Sequence, residues 1–222
     1  MPLRWVFFNL NGTLVDPSVL AQPLGDSGAD EALVLAAFDD AVAQAMVLTL
    51  SGERGEFADL IGAGLRRRLT MAGRDAAAAD DALGLLGSMP AYFDAPAALE
   101  RLRGVGLRLG VLTQSAPEAA DGVLRFSGLR DRVELVVSAG EAGAFKPDPR
   151  PYGLAVERAG ANASEVALVA AHWWDVAGAK HAGLRTGWVA RHDLVLPASV
   201  PQPDVSGRDL GEVAEGLVAL AG

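Results

Sequence analysis

The segment FFNLNGTLVD, at residues 7–16, is the part of this chain that indicates its fold most clearly. Its apolar start belongs to the run LRWVFF at residues 3–8, which is typical of a parallel strand buried on both faces. A polar turn with a glycine follows at once, in a position where α/β enzymes commonly place a nucleophile. Two asparagines, Asn9 and Asn11, occupy this turn, and an amide is a poor nucleophile.

Short apolar runs like the first one recur along the chain and predict further buried strands. They lie at residues 107–112, 133–137, 166–170 and 186–189. Helix-period stretches begin near residues 95, 116, 148 and 174, and each ends close to a glycine. Strands that alternate with helices predict an α/β fold with a Rossmann-like parallel sheet, whose ligands bind at the carboxyl ends of the strands.

Residues 17–89 interrupt this alternation. They contain only helix-period segments: ADEALVLAAFDDAVAQAM, GEFADLIGAGLRRRL and AAAADDALGLLGSM. We interpret residues 17–89 as an inserted α-helical cap domain, with residues 1–16 and 90–222 forming the core domain. A cap in this position would cover the carboxyl ends of the strands and exclude water from the site.

Composition restricts the classes of function. Half of the 222 residues are apolar, which is enough for a sizeable core, and the net charge of -9 argues against nucleic acid as a partner. The absence of cysteine excludes disulfides and thiolate metal sites. We find no signal peptide and no unbroken apolar run of about 18 residues, so we expect no membrane partner and a cytoplasmic protein.

Polar side chains collect just after the predicted strands. The candidate site residues there, with the neighbouring Gly12 and Trp174, are Asn9, Asn11, Gly12 and Thr13 after the first strand, Thr113, Gln114 and Ser115 after the second, Lys146 in FKPDP, and His172, Trp174 and Asp175 in AAHWWD. The stretches FFNLNGTLVD, YFDAPAALERLRGVGLRLGVLTQSAP, AFKPDPRPYGLAVERAG and ALVAAHWWDVAGAKHAGLRTGWVAR resemble the haloacid dehalogenase superfamily. Within it, the chain is most similar to the 2-haloacid dehalogenase-like branch.

The resemblance implies a role for each position. The nucleophilic aspartate of the family falls at Asn9, its hydroxyl residue at Thr113, its lysine at Lys146 and its last acid at Asp175. In the family, the carboxylate attacks carbon or phosphorus, and water then hydrolyses the covalent adduct. The lysine neutralises the charge that gathers on the carboxylate and the substrate.

The remaining polar positions are predicted to contact the substrate. They are Gly12, Thr13, Gln114, Ser115, His172 and Trp174. Gly12 lets the backbone approach a ligand without a Cβ atom in the way. Three of the candidate site positions also have structural interpretations, because Thr113 and His172 can each satisfy a strand end and Asp175 can cap the helix that begins near it.

The sequence departs from the family pattern where chemistry is most sensitive. Asn9 replaces the carboxylate, and Asn11 cannot supply the proton that phosphatases of the superfamily give to the leaving oxygen. The stretch AAHWWD offers a single acid, Asp175, which is too few for a hard cation. We therefore expect no metal and no cofactor.

The resemblance also bears on ligands and assembly. The family's dehalogenases receive the halide with a cap arginine, but no arginine occurs between Arg4 and Arg54. Arg54 is therefore either that cap residue or a surface residue. With Asn9 neutral, we expect Lys146 to lack an anionic partner and the pocket to favour a small anionic molecule. Dimers are usual among the family's dehalogenases, so the resemblance implies a homodimer.

Three functions stay open from the sequence. The first is a haloacid dehalogenase-like hydrolase that is catalytically impaired or inactive as it stands, in other words a pseudoenzyme. The second is an active 2-haloacid dehalogenase-type hydrolase that is trapped by replacement of its aspartate with asparagine. The third is a non-catalytic binding or partner protein on the same fold.

Overall fold

The structure is a computed structural model that describes residues 2–25 and 27–221. Positions 1, 26 and 222, which fall within the predicted core and cap, lie outside the described residues. The strands are β1 (Trp5–Phe8), β2 (Arg108–Thr113), β3 (Leu135–Ser138), β4 (Val166–Ala170), β5 (Arg185–Val189) and β6 (Val205–Gly207). The helices are α1 (Gly28–Ser51), α2 (Phe57–Met71), α3 (Ala78–Leu83), α4 (Ala95–Gly104), α5 (Pro117–Phe126), α6 (Pro149–Ala159), α7 (Trp173–His181) and α8 (Leu210–Ala221).

The strands form one parallel sheet in the order β3-β2-β1-β4-β5-β6. All four residues of β1 are buried, as expected for a central strand that is covered by helices on both faces. Strands β2 and β3 lie on one side of β1, and β4, β5 and β6 lie on the other. The predicted α/β fold is confirmed, and the switch in strand order places a crevice at the carboxyl end of β1.

The sequence predicted five strands, and the structure adds a sixth. β6 is only three residues long and pairs with β5 at the edge of the sheet, with Val205 opposite Gly187. Asp204 strengthens this edge, because its carboxylate accepts hydrogen bonds from the Thr186 backbone N–H at 2.8 Å and from its hydroxyl at 3.1 Å. A strand of three residues is too short to show a pattern of apolar residues, and β6 also follows a proline-rich stretch. The sequence therefore did not indicate it.

The segment between β1 and β2 is helical, and we refer to residues 17–89 as the helical insert. A 3₁₀ helix, Pro17–Leu24, precedes α1, and a shorter one, Leu86–Ser88, follows α3. Helices α1 and α2 approach closely at Gly64, where an added Cβ atom would lie 2.4 Å from the carbonyl oxygen of Ala37. Only glycine fits at this crossing without displacing backbone.

The two connections between the helical insert and the sheet run side by side. Val15 and Ala91 form an antiparallel bridge. The Asp16 N–H donates to the Pro90 carbonyl, and the Tyr92 N–H donates to the Leu14 carbonyl, both at 2.9 Å. The chain therefore leaves the sheet and returns to it at one place.

Helix α1 is the one helix in the described part of the chain that is long and apolar enough, by length and composition, to cross a membrane. Aspartates at positions 39 and 40 interrupt its apolar sequence, which is why no unbroken run is visible. Asp40 accepts hydrogen bonds from Arg67 at 2.7 Å and from Arg68 at 2.6 and 2.9 Å, and both arginines belong to α2. These are the contacts of a helix that packs on its neighbour.

The start of α1 is fixed by a capping box. Asp30 N–H donates to the Ser27 hydroxyl oxygen at 3.3 Å, and the Asp30 carboxylate accepts from the Ser27 N–H at 3.1 Å. Arg74, from the turn after α2, also donates to this carboxylate. The hydrogen bonds from Ser27 and Arg74 lower the pKa of Asp30 from 3.8 to about 2.

We predict that Asp30→Asn lowers the melting temperature at neutral pH by an amount that shrinks in acid. Because the folded-state pKa is depressed, the contribution is complete above pH 3.8 and is lost as the pH falls through about 2. Thermal unfolding across this range checks it. Asp81→Asn, at an exposed carboxylate in α3, is the control, and an equal, pH-independent loss in both variants would contradict the prediction.

Candidate functional site

The loop after β1 forms the floor of the candidate site. The Asn9 N–H donates to the Val169 carbonyl at 2.9 Å, which extends the pairing of β1 with β4 by one residue. Gly12 then turns the chain with φ of +76°. An added Cβ atom at Gly12 would lie 3.1 Å from the ring of His172. Glycine is required here both by the backbone conformation and by the ring that covers it.

Asn9 is buried, and all its polar side-chain atoms have partners. Its Nδ2 group donates to the Asn11 carbonyl at 2.9 Å and to Thr13 Oγ1 at 3.2 Å, while its Oδ1 accepts from Lys146 Nζ at 3.1 Å. A carbonyl only accepts and an ammonium only donates, so these neighbours determine which side of the amide carries the NH₂ group. The surroundings of Asn9 are thus complementary to an amide.

Lys146 is fully buried at the centre of the site. Besides Asn9, its ammonium group donates to the Leu112 carbonyl at 2.9 Å and to Asp175 Oδ2 at 2.5 Å. Burial lowers the pKa of Lys146, and Asp175 opposes this shift. The expectation that Lys146 lacks an anionic partner is wrong, because Asp175 reaches it from the first turn of α7.

Tyr152, which the sequence did not indicate, completes this network. Its hydroxyl donates to Asp175 Oδ1 at 2.7 Å, so that Lys146 and Tyr152 each bind one carboxylate oxygen. Burial raises the pKa of Tyr152 well above its usual value, and the hydroxyl stays protonated as a donor. Tyr152 lies on α6, and the residues around it in the sequence do not indicate that its side chain faces Asp175.

The residues after β2 mainly hold the loops together. The Gln114 amide donates to the Lys146 carbonyl at 3.0 Å and accepts from the Lys146 N–H at 2.9 Å. Thr113 Oγ1 accepts from the Ser115 N–H at 3.1 Å, and Ser115 Oγ lies 3.4 Å from Asn11 Nδ2. The NH₂ group and the oxygen of the Gln114 side chain thus both bind the backbone of Lys146 and position that residue.

Thr13 has a similar structural role. It is fully buried, and its hydroxyl oxygen accepts from the Ala171 N–H at 3.0 Å in addition to Asn9. The hydroxyl therefore connects the end of β4 to the loop after β1 and lies beneath the cavity described next.

A cavity of about 30 Å³ lies directly over Asn9. Its core walls are Asn9, Asn11, Thr113, Gln114, His172 and Trp174, and the helical insert contributes Phe38, Asp39, Val42 and Phe57. The structure thus brings six of the predicted site residues together around one space. Sequence reasoning missed the four residues from the insert, although the spacing of four between Phe38 and Val42 places them on one face of α1.

His172 and Trp174 form one side of the cavity. Their rings stack with centroids 5.3 Å apart and planes 7° from parallel. His172 Nε2 lies 3.1 Å from the Asn11 carbonyl oxygen, and because that oxygen only accepts, Nε2 carries the hydrogen. Desolvation raises the pKa of Asp39, an exposed residue that lines the cavity, while nearby His172 opposes the shift.

A second chamber, of about 540 Å³, adjoins the small cavity and shares Phe57 and Gln114 as walls. Arg54 lines this chamber, near Gly143, and is not among the residues around the small cavity. The only arginine that the sequence offered for the site from the insert therefore lies beside the neighbouring chamber.

In the part of the chain that the structure describes, no group of three or more His, Cys, Asp or Glu side chains is arranged to hold a metal ion. The Asp175 carboxylate is already engaged by Lys146 and Tyr152.

We predict that Mg²⁺ binds weakly or not at all, because a hard cation needs several free oxygen ligands. Isothermal titration of the chain with Mg²⁺ measures this directly. Micromolar affinity would contradict the prediction.

The buried ion pair generates a prediction about stability. Lys146→Met leaves the Asp175 carboxylate buried without its cation, and we expect a loss of about 3–5 kcal/mol in the free energy of unfolding. The matched control is Lys180→Met, which removes the chain's other lysine from its pair with Asp204 at the surface. That pair is 30% and 15% exposed, so its loss costs about 1 kcal/mol at most. Urea unfolding of both variants compares the two, and equal losses would refute the role of Lys146.

Comparisons with known proteins agree with this architecture. The (S)-2-haloacid dehalogenase of Pseudomonas sp. strain YL is 31% identical over 131 residues, which cover 59% of this chain and 56% of that protein. The phosphoserine phosphatase of Thermus thermophilus is 38% identical over 127 residues, covering 56% of this chain and 50% of that protein. The chain thus spans about half the length of the curated relatives it matches.

Solved structures extend the likeness to the whole fold. The L-2-haloacid dehalogenase of Xanthobacter autotrophicus, solved with chloropropionic acid covalently bound, has a TM-score of 0.88 over 98% of both chains. At 23% identity, this likeness shows the fold alone. The sequence model described as haloacid dehalogenase-like hydrolase matches residues 3–183, most of the chain. On this match, with the parallel sheet and the strand-end residues in place, the chain belongs to the haloacid dehalogenase-like hydrolase family.

Proposed function

We propose that the chain, as it stands, is a haloacid dehalogenase-like protein that binds a small ligand over Asn9 and does not hydrolyse it. The observation that carries this proposal is the hydrogen bonding of the Asn9 amide. Its NH₂ group is directed at two acceptors, the Asn11 carbonyl and Thr13 Oγ1, and its oxygen at the Lys146 ammonium. An aspartate in the same position would place a carboxylate oxygen 2.9 Å from the Asn11 carbonyl oxygen.

The chemistry of the amide supports the proposal. Nucleophilic catalysis at this position needs an oxygen that attacks the substrate and leaves as a carboxylate when water cleaves the adduct. The amide oxygen of Asn9 is uncharged, and Lys146 withdraws further electron density from it. At Asn11, a second amide stands where a general acid is needed for a phosphate ester.

The charges around the cavity are also unsuited to a 2-haloacid. The positive charge of Lys146 is neutralised by Asp175 at 2.5 Å. Asp39, which lines the cavity, presents a carboxylate that repels the carboxylate of such a substrate. The expectation of a small anionic ligand depended on an unpaired Lys146, so its physical basis is absent.

A second candidate is an active hydrolase of the dehalogenase branch in which asparagine stands in place of aspartate at position 9. The intact network of Lys146, Asp175 and Tyr152 favours it, because these groups would still neutralise and orient a carboxylate. In either case the helical insert acts as a cap that supplies the upper wall of the site through Phe38, Asp39 and Phe57.

We predict no turnover of a short panel of 2-haloacids or of a generic phosphate ester by the unmodified chain. Halide and phosphate release by this chain, by Asn9→Asp and by Asn9→Asp combined with Asn11→Asp decides between the candidates. If Asn9→Asp releases halide, the second candidate is correct. If Asn9→Asp also releases no halide, the result supports the first candidate. Release of phosphate is not expected from the unmodified chain or from Asn9→Asp, because position 11 still lacks a proton donor and no group of acids among the described residues is arranged to hold a metal ion.

The control is Asn9→Ala. Turnover by the unmodified chain that survives Asn9→Ala would place the nucleophile elsewhere and would refute the assignment of the loop after β1 as the reaction centre.

A further inference from the structure

The cationic groups near the cavity over Asn9 are paired with carboxylates, whereas one of the carboxylates is unpaired. Lys146 is paired with Asp175, and Arg68, which also acts on Asp39, is bound to Asp40. Asp39, an exposed residue that lines the cavity, has no hydrogen bond or ion pair within the described residues. The free ionic group at this site is therefore an anion.

A second acceptor belongs to Asn11, a buried residue that lines the same cavity. The side-chain oxygen of Asn11 is buried and has no hydrogen-bond partner among the described residues. The residue is 8% exposed, so its oxygen has little access to bulk water. A buried acceptor without a donor is costly, and a ligand that donates hydrogen bonds would relieve that cost.

Beside the polar residues Asn9, Thr113, Gln114 and His172, the remaining walls of the cavity are apolar or aromatic. Phe38 and Phe57 come from the helical insert, and Trp174, stacked on His172, comes from the core. Aromatic rings attract cations through the negative face of the ring. The Trp174 ring already stacks on His172 and has Lys146 Nζ 5.8 Å from its centroid, so this attraction falls to Phe38 and Phe57. Acceptor oxygens and aromatic rings around one space are complementary to a positively charged donor.

The volume of the cavity limits the size of the ligand group that can enter it. The cavity volume of about 30 Å³ accommodates a group of very few heavy atoms. The adjoining chamber of about 540 Å³ shares Phe57 and Gln114 with the cavity and has room for a longer substituent. Its walls include Glu53, Glu56, Asp59 and Glu141 as well as Arg54, so acidic residues outnumber basic ones there.

We propose that the cavity over Asn9 recognises an organic cation, with an ammonium group placed between the Asp39 carboxylate and the Asn11 side-chain oxygen, beside Phe38 and Phe57. This inference rests on the proposed function, in which the site binds a ligand without turnover, and it names the class of that ligand. Asp39 is the residue that determines specificity, since it supplies the negative charge that lines the cavity.

The test compares three probes of similar size and different charge: propylammonium, propionate and n-propanol. Each is titrated into the full chain at constant ionic strength, with binding followed by chemical shifts of the tryptophan indole N–H groups. We expect propylammonium to bind most tightly. Asp39→Asn, which keeps the shape and removes the charge, should weaken it about tenfold, the effect of one charge-assisted hydrogen bond.

The matched control is Glu31→Gln, which removes an exposed carboxylate from the first turn of the same helix and should leave propylammonium affinity unchanged. The proposal is overturned if propionate binds as tightly as propylammonium, if Asp39→Asn and Glu31→Gln behave alike, or if propylammonium does not bind. Turnover of a 2-haloacid by the unmodified chain overturns the proposed function instead. A failed amine titration without turnover overturns only the class of ligand.

Discussion

The burial of the Lys146 ammonium is the constraint on which the site depends. A fully buried cation is tolerated only when its donors are all engaged, and here Asn9, the Leu112 carbonyl and Asp175 provide the acceptors. These groups come from the ends of β1 and β2 and from the start of α7. Their relative positions are therefore fixed by one charge, and Gln114 clamps the backbone of the same lysine.

This constraint explains how the catalytic architecture of a hydrolase family persists around an asparagine. The lysine requires acceptor oxygens, and an amide oxygen serves as well as a carboxylate oxygen for that purpose once Asp175 supplies the negative charge. Stability thus maintains the geometry of the site without any demand for turnover. Family membership establishes the scaffold, whereas the chemistry depends on the individual side chains at Asn9, Asn11 and Asp39.

The parts of the structure that the sequence predicted are those governed by local pattern. Apolar runs revealed β1 to β5 because strands buried on both faces carry an unbroken signal, and polar residues just after them were predicted to meet at one edge. Tyr152 and Asp39 escaped prediction, since the direction of a side chain on α6 or α1 depends on how that helix packs. The wrong expectation for Lys146 had the same origin, because its partner Asp175 comes from a helix distant in the sequence.

The adjacency of the two connections at Val15 and Ala91 has an evolutionary consequence. Since the chain enters and leaves the helical insert at neighbouring points, the insert is a module that can lengthen, shorten or be exchanged while the order of the strands is preserved. Residues such as Phe38 and Asp39 can diverge with the module, while Lys146 and its partners remain under the stricter demands of the core. One sheet can in this way acquire new ligands by recombination at a single junction.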